Sequence, residues 1–158
     1  SKFILSMKRI RFKGKSLDSG KWIYGDLIEN QGEYYIYHAC TETTLSDEGN
    51  TITIVATKVQ NETVGQYTGL QDRNGKEIYE GDILEQIVTN GYDCGFIGEV
   101  SFDNGVFGIK HKTYKGCIVS RFVYSSDWND GHAHGTVLYE YELKGNIYDN
   151  PELLTNHQ

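Results

Sequence analysis

Short alternations of apolar and polar residues, separated by glycine-containing turns, run along almost the whole chain. The clearest case opens Thr51–Val59 (TITIVATKV), and Trp22–Glu29 (WIYGDLIE) is rich in the aromatic and β-branched residues of strands. A period of two is typical of strands with one buried face. The tail breaks the pattern, because Asn150-Pro151-Glu152 supplies a cap, a proline at the first helical position and an acidic first turn. The pattern predicts an all-β protein with a short C-terminal helix.

One stretch, Val64–Glu85 (VGQYTGLQDRNGKEIYEGDILE), is repeated in looser form at Phe12–Glu29 (FKGKSLDSGKWIYGDLIE). Asn74-Gly75 between strand-like residues predicts a hairpin with a type I′ turn, which needs positive φ at both central residues. Near its end, each copy has a Gly-Asp pair followed by two apolar residues and a glutamate. These pairs are Gly25-Asp26 and Gly81-Asp82. In each pair we expect the glycine to supply an unusual backbone angle at a bend and the aspartate to bond nearby amides.

The repeat extends into further pieces, which predicts a tandem duplication. Asn30–Ile36 (NQGEYYI) matches Asp103–Ile109 (DNGVFGI), and the two copies close on the similar segments 64–67 (VGQY) and 144–148 (KGNIY). Short strands with a glycine at each corner fit two small SH3-like barrels packed together, and a single split sheet is the alternative. The predicted boundaries are 7–66 for the first unit, 67–148 for the second and 149–158 for the helix and tail.

Three segments are expected to lie outside the strands. Residues Ser1–Ser6 precede the single methionine, Met7, and are expected to be a cloning remnant or a disordered extension. The polar runs Thr41–Asn50 and Ser125–Gly135 are predicted to be variable loops.

The net charge of the chain limits the kinds of molecule that it is expected to bind. The net charge is −7 among 158 residues, which argues against general binding to nucleic acid. A local basic strand could still contact nucleic acid. It contains Lys8, Arg9, Arg11, Lys13 and Lys15, of which the last four occupy alternate positions. Residues at alternate positions share one face of a strand. That face is either a solvated edge that discourages pairing or a contact for nucleic acid.

The chain carries little that indicates catalysis. His132 and His134 could contribute to a metal site, but zinc sites with reliable signatures show close pairs of Cys or His in two places, and the sequence has one such pair. Cys40, Cys94 and Cys117 form no paired motif, which predicts a reduced, cytosolic setting. No phosphate-binding loop, nucleophile elbow or metalloprotease motif is present. We therefore predict no enzyme activity, no cofactor and no bound metal.

Aromatic residues favour a binding surface instead. The chain has 12 tyrosines, several of them alternating with polar residues along predicted strands. Tyrosine supplies a large contact area at a low entropic cost. The predicted interaction surface combines these aromatics with the basic strand, at Lys8, Arg9, Arg11, Tyr35, Tyr37 and Trp128.

Three stretches carry a resemblance to a known family. Met7–Glu29, Val64–Leu84 and Gly145–Leu154 are similar to the YopX family of phage and prophage proteins, a family of unknown function. The resemblance implies a mostly β, phage-derived protein in the cytoplasm of a bacterial host, and implies no activity or catalytic residues. The predicted function is a non-enzymatic accessory module that binds a host or phage protein. The alternatives are contact with nucleic acid through the basic strand and, more remotely, a metal-dependent enzyme.

Overall fold

The computed structural model describes residues 9–46, 49–87, 95–113, 116–121 and 137–155. These residues form twelve strands and one short helix, which confirms the all-β prediction and the C-terminal helix. No helix among the described residues is long and apolar enough to cross a membrane. The strands are β1 (Phe12–Lys15), β2 (Trp22–Asn30), β3 (Glu33–Ser46), β4 (Gly49–Val59), β5 (Gly65–Asp72), β6 (Glu77–Tyr79), β7 (Asp82–Gln86), β8 (Ile97–Asp103), β9 (Val106–Thr113), β10 (Gly116–Arg121), β11 (Val137–Leu138) and β12 (Tyr141–Asn146), and the helix is α1 (Glu152–Thr155).

The chain divides into two compact units, Ser1–Gln66 and Tyr67–Gln158. In the first unit, the strands follow the order β5-β1-β2-β3-β4, with the start of β5 paired to β1. The end of β4 returns to the segment after β1, where Val59 forms a bridge with Ser16. Ile36 and Val59 are fully buried on the inner side of this unit. The strands therefore curl around a small core.

Gly25 marks the point at which β2 changes partner. Residues up to Gly25 pair with β1, and residues from Asp26 pair with β3. The prediction of an unusual backbone angle at Gly25 is wrong, because Gly25 is not among the residues with positive φ. The reason for glycine is a close approach instead: a Cβ added there would lie 1.9 Å from the carbonyl oxygen of Tyr37. Any side chain at this position would force the two strands apart.

The predicted loop over Thr41–Asn50 is also wrong. Thr41–Ser46 belongs to β3 and Gly49–Asn50 belongs to β4. The two strands form a long ribbon that continues past the last residue paired to β2, Tyr37. Threonine is polar but β-branched, so a threonine-rich run is compatible with a strand as well as with a loop. The second predicted loop, Ser125–Gly135, lies outside the described residues.

The second unit contains a sheet with the order β10-β9-β8-β7-β12. Of these strands, β12 comes last in the sequence and pairs with β7, which comes first. In the same way β5 pairs with β1 in the first unit. The hairpin of β5 and β6 and the parallel strand β11 complete the described strands of this unit. Its core is formed by buried aliphatic residues from both groups of strands, namely Leu70, Ile78, Leu84, Val100, Ile109 and Leu138.

The turn between β5 and β6 is organised by the side chain of Asp72. Gly75 has a φ of 79°, but Asn74 is not in the left-handed region, so the predicted type I′ turn is wrong. Oδ1 of Asp72 accepts hydrogen bonds from the backbone N–H groups of Asn74 and Lys76, each at 2.9 Å. An aspartate that bonds its own turn in this way favours a type I turn followed by a left-handed glycine.

Gly81 and Asp82 lie at the start of β7. Gly81 has a φ of 86°, a region that favours glycine. Oδ2 of the buried Asp82 accepts a hydrogen bond of 2.8 Å from the backbone N–H of Tyr79. Asp26, by contrast, is exposed in the middle of β2. The two Gly-Asp pairs thus have the same sequence but different structural positions.

Glu80, which precedes Gly81, supplies a pH-dependent prediction. Burial, and then repulsion from Asp103, raises the pKa of Glu80 above its usual 4.5. The folded chain therefore holds this proton more tightly than the unfolded chain, so the Glu80 contribution to stability falls as the pH rises through the range above 4.5. We expect Glu80→Gln to be more stable than the wild type at neutral pH and to lose this difference in acid. Urea unfolding at a series of pH values measures this stability difference, with Glu152→Gln as the exposed control. The same pH profile of stability for Glu80→Gln and the wild type would contradict the prediction.

Candidate functional site

One face of the first unit collects aromatic and basic residues from neighbouring strands. β1 and β2 pair Lys13 with Tyr24 and Lys15 with Trp22. Residues that are directly paired across antiparallel strands share a face of the sheet, and so do alternate residues along one strand. β2 and β3 extend the same face through the pairs Asp26–Tyr37 and Ile28–Tyr35. We call this set the aromatic face, and define it as Trp22, Tyr24, Ile28, Tyr35 and Tyr37.

Three large side chains of the aromatic face are exposed. Tyr24 is 40% exposed, and Ile28 and Tyr37 are each 37% exposed. Residues that alternate with them point to the other side, where Ile36 is fully buried. A single exposed apolar side chain is ordinary on a protein surface, whereas several close together on one face make that face a candidate for interaction.

Cations lie against the aromatic rings at one end of the face. The guanidinium carbon of Arg11 lies 5.5 Å from the ring centroid of Tyr24. Nζ of Lys13 lies 4.6 Å from the ring centroid of Trp22, and Nζ of Lys15 lies 5.9 Å from it. These distances are within the range of attraction between a cation and a ring. The rings therefore help to fix the positions of the basic side chains.

An ion pair orders the opposite end of the face. Nζ of Lys58 lies 2.7 Å from Oε1 of Glu33, and the hydroxyl of Tyr35 donates a 3.1 Å hydrogen bond to Oε2. The hydrogen bonds from Lys58 and Tyr35 lower the pKa of Glu33, and the bond to Glu33 raises the pKa of Lys58. Because the pair is exposed, it adds little to stability. Its effect is to orient the Tyr35 ring.

The structure brings together part of the predicted interaction surface. Arg11, Tyr35 and Tyr37 share the face described above, and Arg9 is exposed just before β1. Lys8 and Trp128 lie outside the described residues, as do the two candidate metal ligands, His132 and His134. Within the described ranges no group of three or more His, Cys, Asp or Glu residues is arranged to hold a metal ion.

Three residues of the face, Trp22, Tyr24 and Ile28, were not part of the predicted surface. All three lie on β2 at even spacing, so period-two alternation is the signal that could have found them. The alternation was visible in the sequence, but it does not say which of the two sides of a strand is exposed.

Charge is divided unequally between the two units. The first unit carries eight lysine and arginine residues against eight aspartate and glutamate residues, whereas the second carries seven against 14. The net charge of −7 therefore belongs to the second unit. Net charge consequently says nothing against an anionic partner for the first unit, and only the local arrangement of cations bears on that question.

Comparison with known proteins identifies the family. The model of the family described as YopX protein matches residues 11–155, which is most of the chain. The chain belongs to the YopX family. No curated protein matches the sequence. The matched residues of this YopX-family chain include both units and the whole aromatic face.

A solved structure is similar to this YopX-family chain. It is the crystal structure of protein EF1440 from Enterococcus faecalis, with 21% sequence identity and a TM-score of 0.52. The likeness covers 92% of this chain and 98% of that chain. At this identity the comparison shows a shared fold and carries no information on partners or activity.

Proposed function

We propose that this YopX-family chain is a non-enzymatic accessory module of a phage or prophage that binds a host or phage protein in the bacterial cytoplasm. The observation that carries the proposal is the aromatic face, on which Tyr24, Ile28 and Tyr37 are exposed at nearby positions of β2 and β3. Tyrosine, tryptophan and arginine are the residues most enriched at the centres of protein interfaces. The face combines tyrosine and tryptophan on paired strands of one sheet.

The partner is expected to match the face in shape and charge. The exposed carboxylate of Asp26 lies on the face between Tyr24 and Ile28, so the face suits a protein surface that offers apolar groups around a hydrogen-bond donor or a cation. Arg9 and Arg11 lie at one end, with the Arg11 guanidinium over Tyr24. Carboxylates at the corresponding edge of the partner would complement this charge and speed association.

The strand order supports the finer interpretation of the fold. In the sheet of each unit, the strand that comes last in the sequence pairs with the strand that comes first: β5 pairs with β1, and β12 pairs with β7. A 3-10 turn, Asn61–Thr63, precedes β5 in the first unit. This arrangement agrees with two SH3-like barrels that arose by duplication. Small barrels of this kind commonly present exposed aromatic residues to peptide segments.

Contact with nucleic acid through the basic strand is the second candidate. In its favour, the first unit has no net charge and carries its β1 cations next to aromatic rings. Against it, Lys13 is only 4% exposed, so its ammonium is not placed to reach a phosphate. Binding driven by phosphate contacts needs accessible cations and weakens steeply with salt.

A capture experiment with matched variants separates the two candidates. The tagged chain is incubated with lysate of the native host, with and without nuclease, and bound proteins are identified by mass spectrometry. We expect a stoichiometric protein that survives nuclease. Its affinity should fall by about 30-fold for each of Tyr24→Ala and Tyr37→Ala, because a buried interface tyrosine contributes about 2 kcal/mol.

Tyr139→Ala is the control, because Tyr139 is 38% exposed but lies in the second unit. It should bind like the wild type. Retention only of nucleic acid, lost on nuclease treatment and unchanged in the tyrosine variants, would overturn the protein-binding proposal in favour of the basic strand.

A further inference from the structure

The ribbon formed by β3 and β4 has strand edges without partners among the described residues. β3 pairs with β2 only from Glu33 to Tyr37, and from His38 onward it pairs with β4 alone. β4 is the last strand of its sheet, and within the described ranges its outer edge meets another segment only near Val59, where Ser16 and Leu17 pair with it. A two-stranded ribbon is marginally stable in water, so this extension favours an additional strand.

The two edges of the ribbon differ in regularity. Ala39 pairs with Ile54 and Thr43 pairs with Ile52, so three residues of β3 lie opposite one residue of β4. A bulge of this kind bends a strand edge and discourages the addition of another strand. β4 carries the smaller number of residues and stays regular through this region, so its outer edge is the one suited to pairing.

The sequence of the β4 edge lacks the usual protection. Natural edge strands are blunted by charged residues, especially lysine, or by proline. Asn50–Val55 (NTITIV) contains neither, and consists mostly of β-branched residues with high strand propensity. The first lysine of β4 is Lys58, whose carbonyl already accepts a hydrogen bond from the backbone N–H of Leu17. Among the described residues, the edge without a partner is therefore residues 50–56.

We propose that a second copy of this chain pairs with this edge, β4 against β4, in an antiparallel arrangement about a two-fold axis at Thr53. Closed two-fold dimers are the commonest assemblies of identical chains. With the axis at Thr53, Ile52 lies opposite Ile54 of the partner subunit, so apolar positions meet apolar positions. Any axis between two residues would instead pair isoleucine with threonine.

The charge distribution is compatible with this self-association. Copies with a net charge of −7 repel one another, but that charge belongs to the second unit and the first is neutral. Pairing through β4 brings neutral units together. The inference uses a strand edge and not the aromatic face, so it stands or falls separately from the proposed function.

Edge lysines test the pairing in solution. Sedimentation equilibrium of the full chain, from about 1 to 200 µM, spans the affinities expected of a small strand interface. We expect a dimer, and a monomer for Thr53→Lys, because a lysine at an edge prevents pairing. Thr44→Lys, which places the same charge on β3, should remain a dimer. A monomeric wild type would overturn the proposal, whether or not it binds an unrelated extended peptide through β4. A dimer that persists in Thr53→Lys would also overturn it.

A cross-link tests the register. In a background with Cys40, Cys94 and Cys117 replaced by serine, Thr53→Cys places two cysteines directly opposite each other, with Cα atoms about 5 Å apart. Oxidation should give a disulfide-linked dimer. Thr51→Cys places the two cysteines roughly 13 Å apart, too far for a disulfide, and should stay uncross-linked. Equal cross-linking of the two variants, or none in Thr53→Cys, would contradict the assigned axis.

Discussion

Asp72→Ala is expected to lower the free energy of unfolding by about 4 kcal/mol, because three backbone N–H groups lose a buried acceptor at once. Asp72 is fully buried. Its Oδ1 accepts hydrogen bonds from Asn74 and Lys76 within the turn, and its Oδ2 accepts one of 2.9 Å from Leu143 on β12. The carboxylate therefore closes its own turn and also ties that turn to a strand 71 residues away. Urea unfolding monitored by tryptophan fluorescence and circular dichroism measures the loss.

Two control variants show whether the bonds or the charge are responsible. Asp72→Asn keeps one acceptor oxygen but turns an amide N–H₂ toward backbone donors, so it should lose a substantial part of the same stability. Asp103→Ala removes an exposed carboxylate and should change stability little. If Asp72→Ala were as stable as Asp103→Ala, the carboxylate would not organise this turn.

Gly25→Ala is expected to cost about 3 kcal/mol, because its Cβ would lie far inside the contact distance of a backbone atom. The added carbon would be 1.9 Å from the carbonyl oxygen of Tyr37 and 3.2 Å from Cγ2 of the buried Ile36. A backbone oxygen cannot rotate away as a flexible side chain can. β2 and β3 would have to separate at the point where β2 changes partner, next to the aromatic face.

Gly20→Ala separates this steric effect from backbone strain. Gly20 has a φ of 69°, but a Cβ there would meet no atom within 4 Å. Its cost should be limited to that of a left-handed alanine, about 1 kcal/mol. Equal destabilisation by the two variants would show that Gly25 is not required by the close approach to Tyr37.

The fold class was predictable because it depends on local pattern. Period-two alternation and frequent glycine-containing turns indicated strands throughout, and the Asn150-Pro151-Glu152 start indicated the terminal helix. The resemblance to the YopX family rested on long stretches of sequence and is confirmed by the family match over residues 11–155.

The errors arose where distant residues decide local structure. The sequence around Asn74-Gly75 suggests a type I′ turn, but the side chain of Asp72 selects another turn while it also bonds Leu143. Gly25 is needed because of Tyr37, a residue on the next strand. The threonine-rich run after Cys40 becomes a strand because β4 pairs with it. Tyr37 and β4 cannot be identified as partners from a local window. Asp72 lies within the window, but its bond to Leu143 does not.

The candidate site was predictable in its residue types but not in its extent. Tyr35, Tyr37 and Arg11 were identifiable from composition and spacing. Their association with Tyr24 and Ile28 depends on the register of β2 against β1 and β3, which the sequence does not specify. Register decides which residues become neighbours, because a shift of one position moves every side chain to the other face.

The most direct test of the account is hydroxyl-radical footprinting of the chain, free and bound to its captured partner, read residue by residue. We expect Tyr24 and Tyr37 to lose reactivity in the complex. Phe102, which is 48% exposed in the second unit, should keep its reactivity and serves as the internal reference. A complex in which Tyr24 and Tyr37 remain as reactive as in the free chain would contradict the assignment of the aromatic face as the binding surface.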